Sequence, residues 1–295
     1  MIAYQSPPNI KMIVIFTVNK NLKSYNMYVI KTSMNTINSH VQKIEFSCDG
    51  KLLKGMLHLP DMNMIKDMRP PLVVGSHGLE GSMESAKQIL LSRILPERGV
   101  AFLRFDHRGC GSSEGDFVTE TSLSKRVKDM LSAIDHVAKL DLTDHSRLLL
   151  FGSSLGGSTC ISAWSRLCEH GFEPSGAVLC AAPVNSLTIS QIPLQGNERR
   201  PSLPMSFFED NLMFDLTEKL SAIHHLLIFH GDQDQTVPVE NAYTIHSNAG
   251  EPKKMVILKG GDHQMSDLSD QKKFEGEFLL WLNDSLGFIS DIHGS

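Results

Sequence analysis

The chain has 295 residues, of which 41% are hydrophobic and 21% charged, and its net charge is −5. This composition is typical of a folded globular protein, and the lack of a basic excess argues against a nucleic-acid partner. No apolar run approaches the ~18 residues that a membrane helix needs, so we expect no membrane association.

The N-terminal residues 1–40 differ from the rest of the chain, because they are rich in Asn, Lys, Ile and Met and lack helical periodicity. We predict that they form a poorly ordered extension, or that Met34 is the working start. The alternative is that Met12–Val18, which is rich in β-branched residues, forms an added edge strand. The same run is short and lacks a small-residue cleavage site, so it does not predict secretion.

A hairpin pattern begins at Val41. Val41–Phe46 alternates between apolar and polar residues, Asp49-Gly50 is a turn signal, and Leu52–Leu59 is the predicted returning strand.

From Pro71 onward, predicted strands alternate with predicted helices. The strands are Leu72–Val74, Val100–Phe105, Arg147–Phe151, Ala177–Cys180, Leu226–Phe229 and Met255–Leu258. The helices run from Ser82 to Glu97, from Thr121 to Lys139, from residue 155 to Glu169 and from Phe274 to Leu286. This alternation predicts an α/β fold with a mostly parallel central sheet and helices on both faces. We expect one domain over residues 41–286 and a C-terminal tail over 287–295.

The interval 184–223 interrupts the alternation with prolines and apolar residues. We predict that it is a small cap insertion over the site, with Phe207 and Phe208 binding substrate. The alternative is a long connection that packs onto the core.

The chain contains five cysteines, Cys48, Cys110, Cys160, Cys168 and Cys180. They are odd in number and have no Cys-x-x-Cys spacing, which predicts buried free thiols in a reducing compartment.

The pentapeptide Gly152–Gly156 (GSSLG) lies between a predicted strand and a predicted helix. A serine on such a turn exposes its hydroxyl, and the helix offers N–H groups beside it. The pattern therefore predicts that Ser154 is a nucleophile for acyl transfer. A second copy, Gly111–Gly115 (GSSEG), follows no apolar strand and opens no helix, so we interpret Ser113 as a turn residue.

A serine hydroxyl needs a base, and the base needs an acid that orients it. His263 follows the last predicted strand and Asp234 follows the preceding strand, so the chain order Ser154, Asp234, His263 matches the order expected for this architecture. Asp232 is the alternative acid, or a residue that caps the turn. Asp262 is predicted to brace the loop.

The reaction also needs two N–H donors for an oxyanion. The backbone N–H of Leu155 follows the nucleophile, and that of Leu79 lies in the loop after the first central strand, where Gly78 lets the backbone turn. His77 either braces this loop or acts directly, and Glu80 meets either substrate or only solvent.

Together these motifs resemble the α/β-hydrolase superfamily over about residues 41–286. The motifs are His77-Gly78, the loop Asp106–Gly115 (DHRGCGSSEG), the Ser154 turn, the Asp234 loop and Gly261–His263 (GDH). Within the superfamily the chain is similar to small serine esterases, including cinnamoyl and feruloyl esterases, and to serine-aminopeptidase-type hydrolases. The resemblance implies an α/β-hydrolase fold in which Asp106 and Arg108 brace the loops beside the site.

We therefore expect a cytoplasmic serine hydrolase that cleaves a small-molecule carboxylic ester through an acyl-enzyme. No cluster has metal-ligand spacing, since His224 and His225 are adjacent and face different ways, so no metal or organic cofactor is expected. The alternatives are a peptidase or amidase, a thioesterase of the same fold, and a non-catalytic ligand-binding relative. The sequence does not indicate an oligomeric state.

Overall fold

The structure is a computed structural model that describes residues 10–19, 24–33, 40–65, 68–197 and 202–286. The chain divides into two units between residues 38 and 39. In the first unit, β1 (Ile10–Asn19) and β2 (Ser24–Ser33) form a two-stranded antiparallel sheet. Met12–Val18 lies within β1. Met34 and the predicted tail 287–295 lie outside the described residues.

The second unit is built on a sheet of eight strands. They are β3 (His40–Cys48), β4 (Lys51–Leu59), β5 (Pro71–Ser76), β6 (Ala101–Phe105), β7 (Asp144–Ser153), β8 (Pro174–Cys180), β9 (Leu226–Gly231) and β10 (Lys253–Leu258). Their order is β10-β9-β8-β7-β5-β6-β4-β3. Strands β5 to β10 are parallel, and the β3–β4 hairpin joins β6 in antiparallel register. The predicted mostly parallel sheet is confirmed.

Seven α-helices lie within the described residues. They are α1 (Ala86–Ile94), α2 (Phe117–Glu120), α3 (Leu123–Leu140), α4 (Leu155–Glu169), α5 (Met205–Asn211), α6 (Glu240–Asn248) and α7 (Leu268–Leu286). No helix in this part of the chain is both long enough and apolar enough to cross a bilayer.

Five of these helices differ from the sequence prediction: α1 begins later than predicted, α7 begins at Leu268 and not at Phe274, and α2, α5 and α6 were not predicted. Helix α1 begins at Ala86 because residues 82–85 form a turn, in which the N–H of Ser85 donates to the carbonyl of Ser82. Helix α6 was not predicted, since it is short and buries only Asn241, Ala242 and Ile245.

Both faces of the sheet are covered by helices, as predicted. Side chains alternate along each strand, so Leu72 and Val74 pack into one core with α3 and α4, while Val73 packs into the other with α1 and α7. Because both faces are buried, the central strands are almost continuously apolar.

The predicted cap, residues 184–223, is a folded insertion whose described part packs onto the α3–α4 side of the core. Its base is closed by a backbone bond from Leu216 N–H to the carbonyl of Val184 and by a β-bridge between Asn185 and Asp215. It contains α5 and two 3-10 helices, Ser186–Thr188 and Thr217–Ala222.

The cysteine prediction needs one correction. All five thiols are free, and four are buried, but Cys168 is exposed near the end of α4.

Candidate active site

Ser154 occupies a strained turn between β7 and α4. Its backbone has φ 54° and ψ −127°, a left-handed conformation that is unfavourable for a residue with a Cβ. Two backbone bonds hold it there: Ser154 N–H donates to the carbonyl of Cys180, and Gly157 N–H donates to that of Ser154, both at 2.8 Å. The turn leaves the side chain half-buried at the carboxyl edge of the sheet.

The glycines beside Ser154 permit a close approach of backbone segments. A Cβ at Gly156 would overlap the carbonyl oxygen of Ser76, and one at Gly152 would overlap that of Gly156. The turn therefore requires glycine at both positions, which explains the GSSLG pattern physically.

The structure brings Ser154, His263 and Asp234 into one hydrogen-bonded chain. The Oγ of Ser154 lies 3.1 Å from Nε2 of His263, and Nδ1 of His263 lies 2.7 Å from Oδ2 of Asp234. The side chain of His263 is 22% exposed, whereas that of Asp234 is completely buried. Such an arrangement can deprotonate the hydroxyl and stabilise the imidazolium that forms.

The carboxylate of Asp234 is held ionised by its neighbours. Burial alone would raise its pKa, but hydrogen bonds from His230 and His263 and from the N–H of Val237 outweigh burial and hold the pKa well below its usual range. Oδ1 accepts the N–H groups of Thr236 and Val237, both at 2.9 Å. The Nε2 of His230 lies 3.3 Å from Oδ2. The sequence analysis assigned no role to His230, although its position near the end of β9, four residues before Asp234, is a signal that could have identified it.

The other two carboxylates of this region brace loops. Oδ1 of Asp232 accepts the N–H of Gly260 at 2.6 Å. Oδ1 of Asp262 accepts the N–H groups of Gln264 and Ser266, at 3.1 and 2.9 Å. Both therefore shape the loop that carries His263.

The two predicted oxyanion donors belong to segments that lie beside Ser154. Leu155 is the first residue of α4, so its N–H lies at a helix N-terminus, where a negative charge is favoured. A Cβ at Gly78 would lie 3.4 Å from Cβ of Ser154, so the loop that carries Leu79 passes directly over the serine.

Comparisons with known proteins agree with this fold. Residues 69–196 match the family described as serine aminopeptidase, S33. The uncharacterized protein YfhR of Escherichia coli K12 is 29% identical over 223 residues, which cover 75% of this chain and 73% of YfhR. The mitochondrial palmitoyl-protein thioesterase ABHD10 of mouse is 28% identical over 233 residues, covering 68% of this chain and 72% of ABHD10.

Among solved structures, Est1E of Butyrivibrio proteoclasticus with bound ferulic acid aligns with a TM-score of 0.67 at 24% identity. The alignment covers 80% of this chain and 98% of Est1E. The chain has the α/β-hydrolase fold. Its relatives and its fold support a hydrolase.

The structure also contains a second hydrogen-bonded set of serine, histidine and aspartate, which was not predicted from the sequence. Oγ of Ser76 lies 2.9 Å from Nε2 of His107, and Nδ1 of His107 lies 3.3 Å from Oδ2 of Asp129. All three residues are buried. Burial, reinforced by the charge of Arg126, lowers the pKa of His107 to about 4, so this imidazole is neutral at physiological pH.

His77 is engaged within its own loop in this hydrolase. Its Nδ1 lies 2.8 Å from the carbonyl of Gly78, and its Nε2 accepts the N–H of His107 at 3.2 Å. With both ring nitrogens occupied, the geometry favours the bracing role. Glu80 accepts a hydrogen bond from Asn197 of the insertion at 3.1 Å.

Ser113 lies in a hydrogen-bonded turn. Its Oγ donates to the carbonyl of Asp106 at 2.6 Å and accepts the N–H of Lys54 at 2.9 Å. The carboxylate of Asp106 accepts the N–H groups of Met83 and Ser112, which ties two loops together. Arg108 braces a third segment through Asp129, with Nε 2.7 Å from Oδ1.

Phe207 and Phe208 on α5 are 3% and 9% exposed. They pack in the same core as Leu155, and Phe207 stacks on Phe117 with ring centroids 6.0 Å apart. They are therefore part of the packing between insertion and core, and their contact with substrate stays a prediction.

Within the described ranges, no group of three or more His, Cys, Asp or Glu side chains could hold a metal ion. The expectation that His224 and His225 face different ways is wrong, because Nδ1 of His224 lies 3.0 Å from Nδ1 of His225.

Proposed function

We propose that this protein is a serine hydrolase that cleaves small-molecule carboxylic esters through an acyl-enzyme. The observation that carries the proposal is the hydrogen-bonded chain from Ser154 through His263 to Asp234, with distances of 3.1 and 2.7 Å, on a strained and accessible turn. The similarity to Est1E, whose structure holds ferulic acid, supports an ester as the substrate.

In the proposed reaction, Oγ of Ser154 attacks the ester carbonyl while Nε2 of His263 takes the hydroxyl proton. The N–H groups of Leu79 and Leu155 donate to the oxyanion of the tetrahedral intermediate. His263 then gives its proton to the leaving alcohol, and the acyl group stays on Ser154. Water, deprotonated by His263, releases the acid and restores the serine. Asp234 stays ionised throughout and stabilises the imidazolium, and no step calls for a metal or an organic cofactor.

The insertion supplies the acyl side of the proposed site. Phe207 and Phe208 on α5 are buried in the packing between the insertion and the core. In the proposal they form an apolar wall behind the acyl group, and such a wall favours uncharged acyl groups of short-to-medium length or aromatic character. We place the protein in the cytoplasm, because its free, mostly buried thiols suit a reducing compartment.

A thioester is the second candidate substrate. The similarity to ABHD10, a palmitoyl-protein thioesterase, favours it, and the same oxyanion chemistry serves both bonds.

The test is a kinetic comparison of a matched ester, thioester and anilide that carry the same acyl group. The proposal predicts that the ester gives the highest kcat/KM and that Ser113→Ala, the matched control, leaves all three rates unchanged. A higher kcat/KM for the thioester would favour the second candidate, and a higher value for the anilide would favour an amidase.

A further inference from the structure

Arg126 on α3 is the largest side chain that is fully buried in the described structure, with 1% exposure. Removing a guanidinium from water is costly unless hydrogen bonds compensate it. Desolvation accordingly lowers the pKa of Arg126, against the opposing effect of Cys110 and Asp129. A buried arginine at this position therefore needs a structural or functional explanation.

The hydrogen bonds of Arg126 reach both segments that carry the proposed oxyanion donors. Its Nη2 donates to the carbonyl oxygen of His77, in the loop that leads to Leu79. Its Nε donates to Oγ1 of Thr159 at 3.4 Å, and this hydroxyl donates in turn to the carbonyl oxygen of Leu155 at 2.8 Å. One guanidinium thus links the backbone on the two sides of Ser154.

The two linked segments meet backbone to backbone. A Cβ at Gly156 would overlap the carbonyl oxygen of Ser76 and would lie 2.8 Å from that of His77. Because no side chain separates the segments, a small shift of either one changes the distance between the two N–H donors. Both N–H groups must lie within about 2.7–3.1 Å of the same oxyanion to stabilise it, so the separation of the two donors limits oxyanion stabilisation.

Asp129, which lies on α3 with Arg126, is already hydrogen-bonded to other groups. Asp129 accepts the Nε and the backbone N–H of Arg108, at 2.7 and 3.1 Å, and lies 3.3 Å from Nδ1 of His107. Nη1 of Arg126 has no hydrogen-bond partner among the described residues, and the thiol of Cys110 interacts with the guanidinium. The two hydrogen bonds from Arg126 to oxygen atoms go to a backbone carbonyl and to a hydroxyl that itself binds the backbone, an arrangement that fixes backbone geometry.

We propose that Arg126 is the positioning residue of the oxyanion hole: it holds the Leu79 loop and the N-terminus of α4 at the separation that lets both N–H groups reach one oxyanion. This inference rests on the proposed function. Thr159 is the second member of the link, because its hydroxyl carries the bond from Arg126 to Leu155.

The test uses Arg126→Lys, which keeps the charge but lacks the planar fork, and Thr159→Val, which keeps the shape but lacks the hydroxyl. Ser158→Ala is the matched control, since the hydroxyl of Ser158 is equally buried on α4 but donates to the carbonyl of Pro183 at 2.6 Å. Each variant is measured for kcat, KM, melting temperature and affinity for a trifluoromethyl ketone that forms the tetrahedral adduct.

We expect kcat to fall on the order of 10-fold or more in Arg126→Lys and Thr159→Val, approaching the effect of losing one oxyanion donor, with KM nearly unchanged. Affinity for the ketone should fall by the same factor as kcat/KM. Ser158→Ala should lower the melting temperature and leave both quantities unchanged.

Wild-type kcat and ketone affinity in Thr159→Val, which preserves packing, would overturn the inference, as would a rise in KM alone. If Ser154→Ala retained ester hydrolysis, the proposed function itself would fail. If Ser154→Ala is inactive while Arg126→Lys and Thr159→Val behave as wild type, only the positioning role is wrong.

Discussion

Two serine–histidine–aspartate chains of similar geometry lie in this molecule, one at the edge of the sheet and one in its interior. In the first, Ser154 to His263 is 3.1 Å and His263 to Asp234 is 2.7 Å. In the second, Ser76 to His107 is 2.9 Å and His107 to Asp129 is 3.3 Å. Side-chain distances alone therefore do not distinguish the candidate site from the buried network.

Ser76 and Ser154 differ in their surroundings. Ser76 lies at the end of an extended strand with no exposure, and its base has a pKa lowered to about 4, mainly by burial. An imidazole that resists protonation is a poor acceptor for a serine proton. The carboxylate of Asp129 is shared with Arg108, which weakens its support for an imidazolium.

Ser154 has the features that Ser76 lacks. It occupies a turn with positive φ at the start of α4, and its histidine keeps 22% of its side chain in solvent. The comparison teaches that a triad needs access, a helix N-terminus or equivalent donors, and a base that can gain a proton.

The largest expected effect separates the two serines directly. Ser154→Ala should lower kcat by about 10⁴-fold or more, because only oxyanion and binding effects remain. Ser76→Ala should leave kcat close to wild type and lower the free energy of unfolding by roughly 1–3 kcal/mol, since Nε2 of His107 loses its donor. Steady-state kinetics and urea unfolding of both variants measure this. Comparable losses of kcat would break the distinction.

The two aspartates should differ in the same way. Asp234→Asn should lower kcat by up to about 10⁴-fold with little change in KM, because it disturbs the tautomer of His263. Asp129→Asn should cost up to about 3–5 kcal/mol of stability, because it removes the buried carboxylate that pairs with Arg108 and leaves only the more exposed Asp49 and Glu120. Kinetics per folded molecule, with the folded fraction taken from circular dichroism, checks both. Asp232→Asn is the control and should affect stability alone.

The central sheet and the positions of Ser154, Asp234 and His263 could be predicted from the sequence, because each of these residues follows an apolar strand of a parallel sheet. The buried hydrogen-bonded set of Ser76, His107 and Asp129 could not be predicted, since the three residues come from separate elements and no local pattern joins them. Arg126 lies within an amphipathic helix, where a charged residue is expected on the solvent-exposed face. Only the packing of α3 against α4 shows that its side chain is buried. Helix α6 and the exposure of Cys168 depend on tertiary packing in the same way.

The free energy of unfolding should depend on pH through the buried residues Ser76, His107 and Asp129, and above all through His107. The pKa of His107 is about 4 in the folded protein and 6.5 in the unfolded chain, so the unfolded chain binds the proton more tightly. The contribution of His107 to the free energy of unfolding is therefore fully present above pH ~6.5, and it decreases as the pH drops towards 4. The contribution of His107 to this loss is about 2 kcal/mol between pH 7 and pH 5, at 1.36 kcal/mol per pKa unit.

His58, with a pKa also lowered to about 4 by burial and by Arg104, adds to the same trend. The comparison is therefore between wild type and His107→Gln, with urea unfolding at both pH values. Equal pH dependence in the two proteins would show that His107 does not titrate as a buried group.

The smallest expected effect concerns the insertion, residues 184–223, and its contact with the acyl group bound at Ser154. Phe208→Ala should weaken binding of bulky acyl groups by about 1–3 kcal/mol, the scale of a lost apolar contact in a substrate pocket. Phe274→Ala, in the core on the other face of the sheet, should lower stability and leave the acyl-length profile of KM unchanged. An identical profile for wild type and Phe208→Ala would show that this ring serves packing only.

The most direct test of the account is the site of covalent labelling by a fluorophosphonate. The folded protein is treated at neutral pH, and the modified peptide is identified by mass spectrometry, with Ser154→Ala treated in parallel. The account predicts one adduct, on Ser154, and none in the variant. An adduct on Ser76 or Ser113, or no adduct on a folded protein, would contradict it.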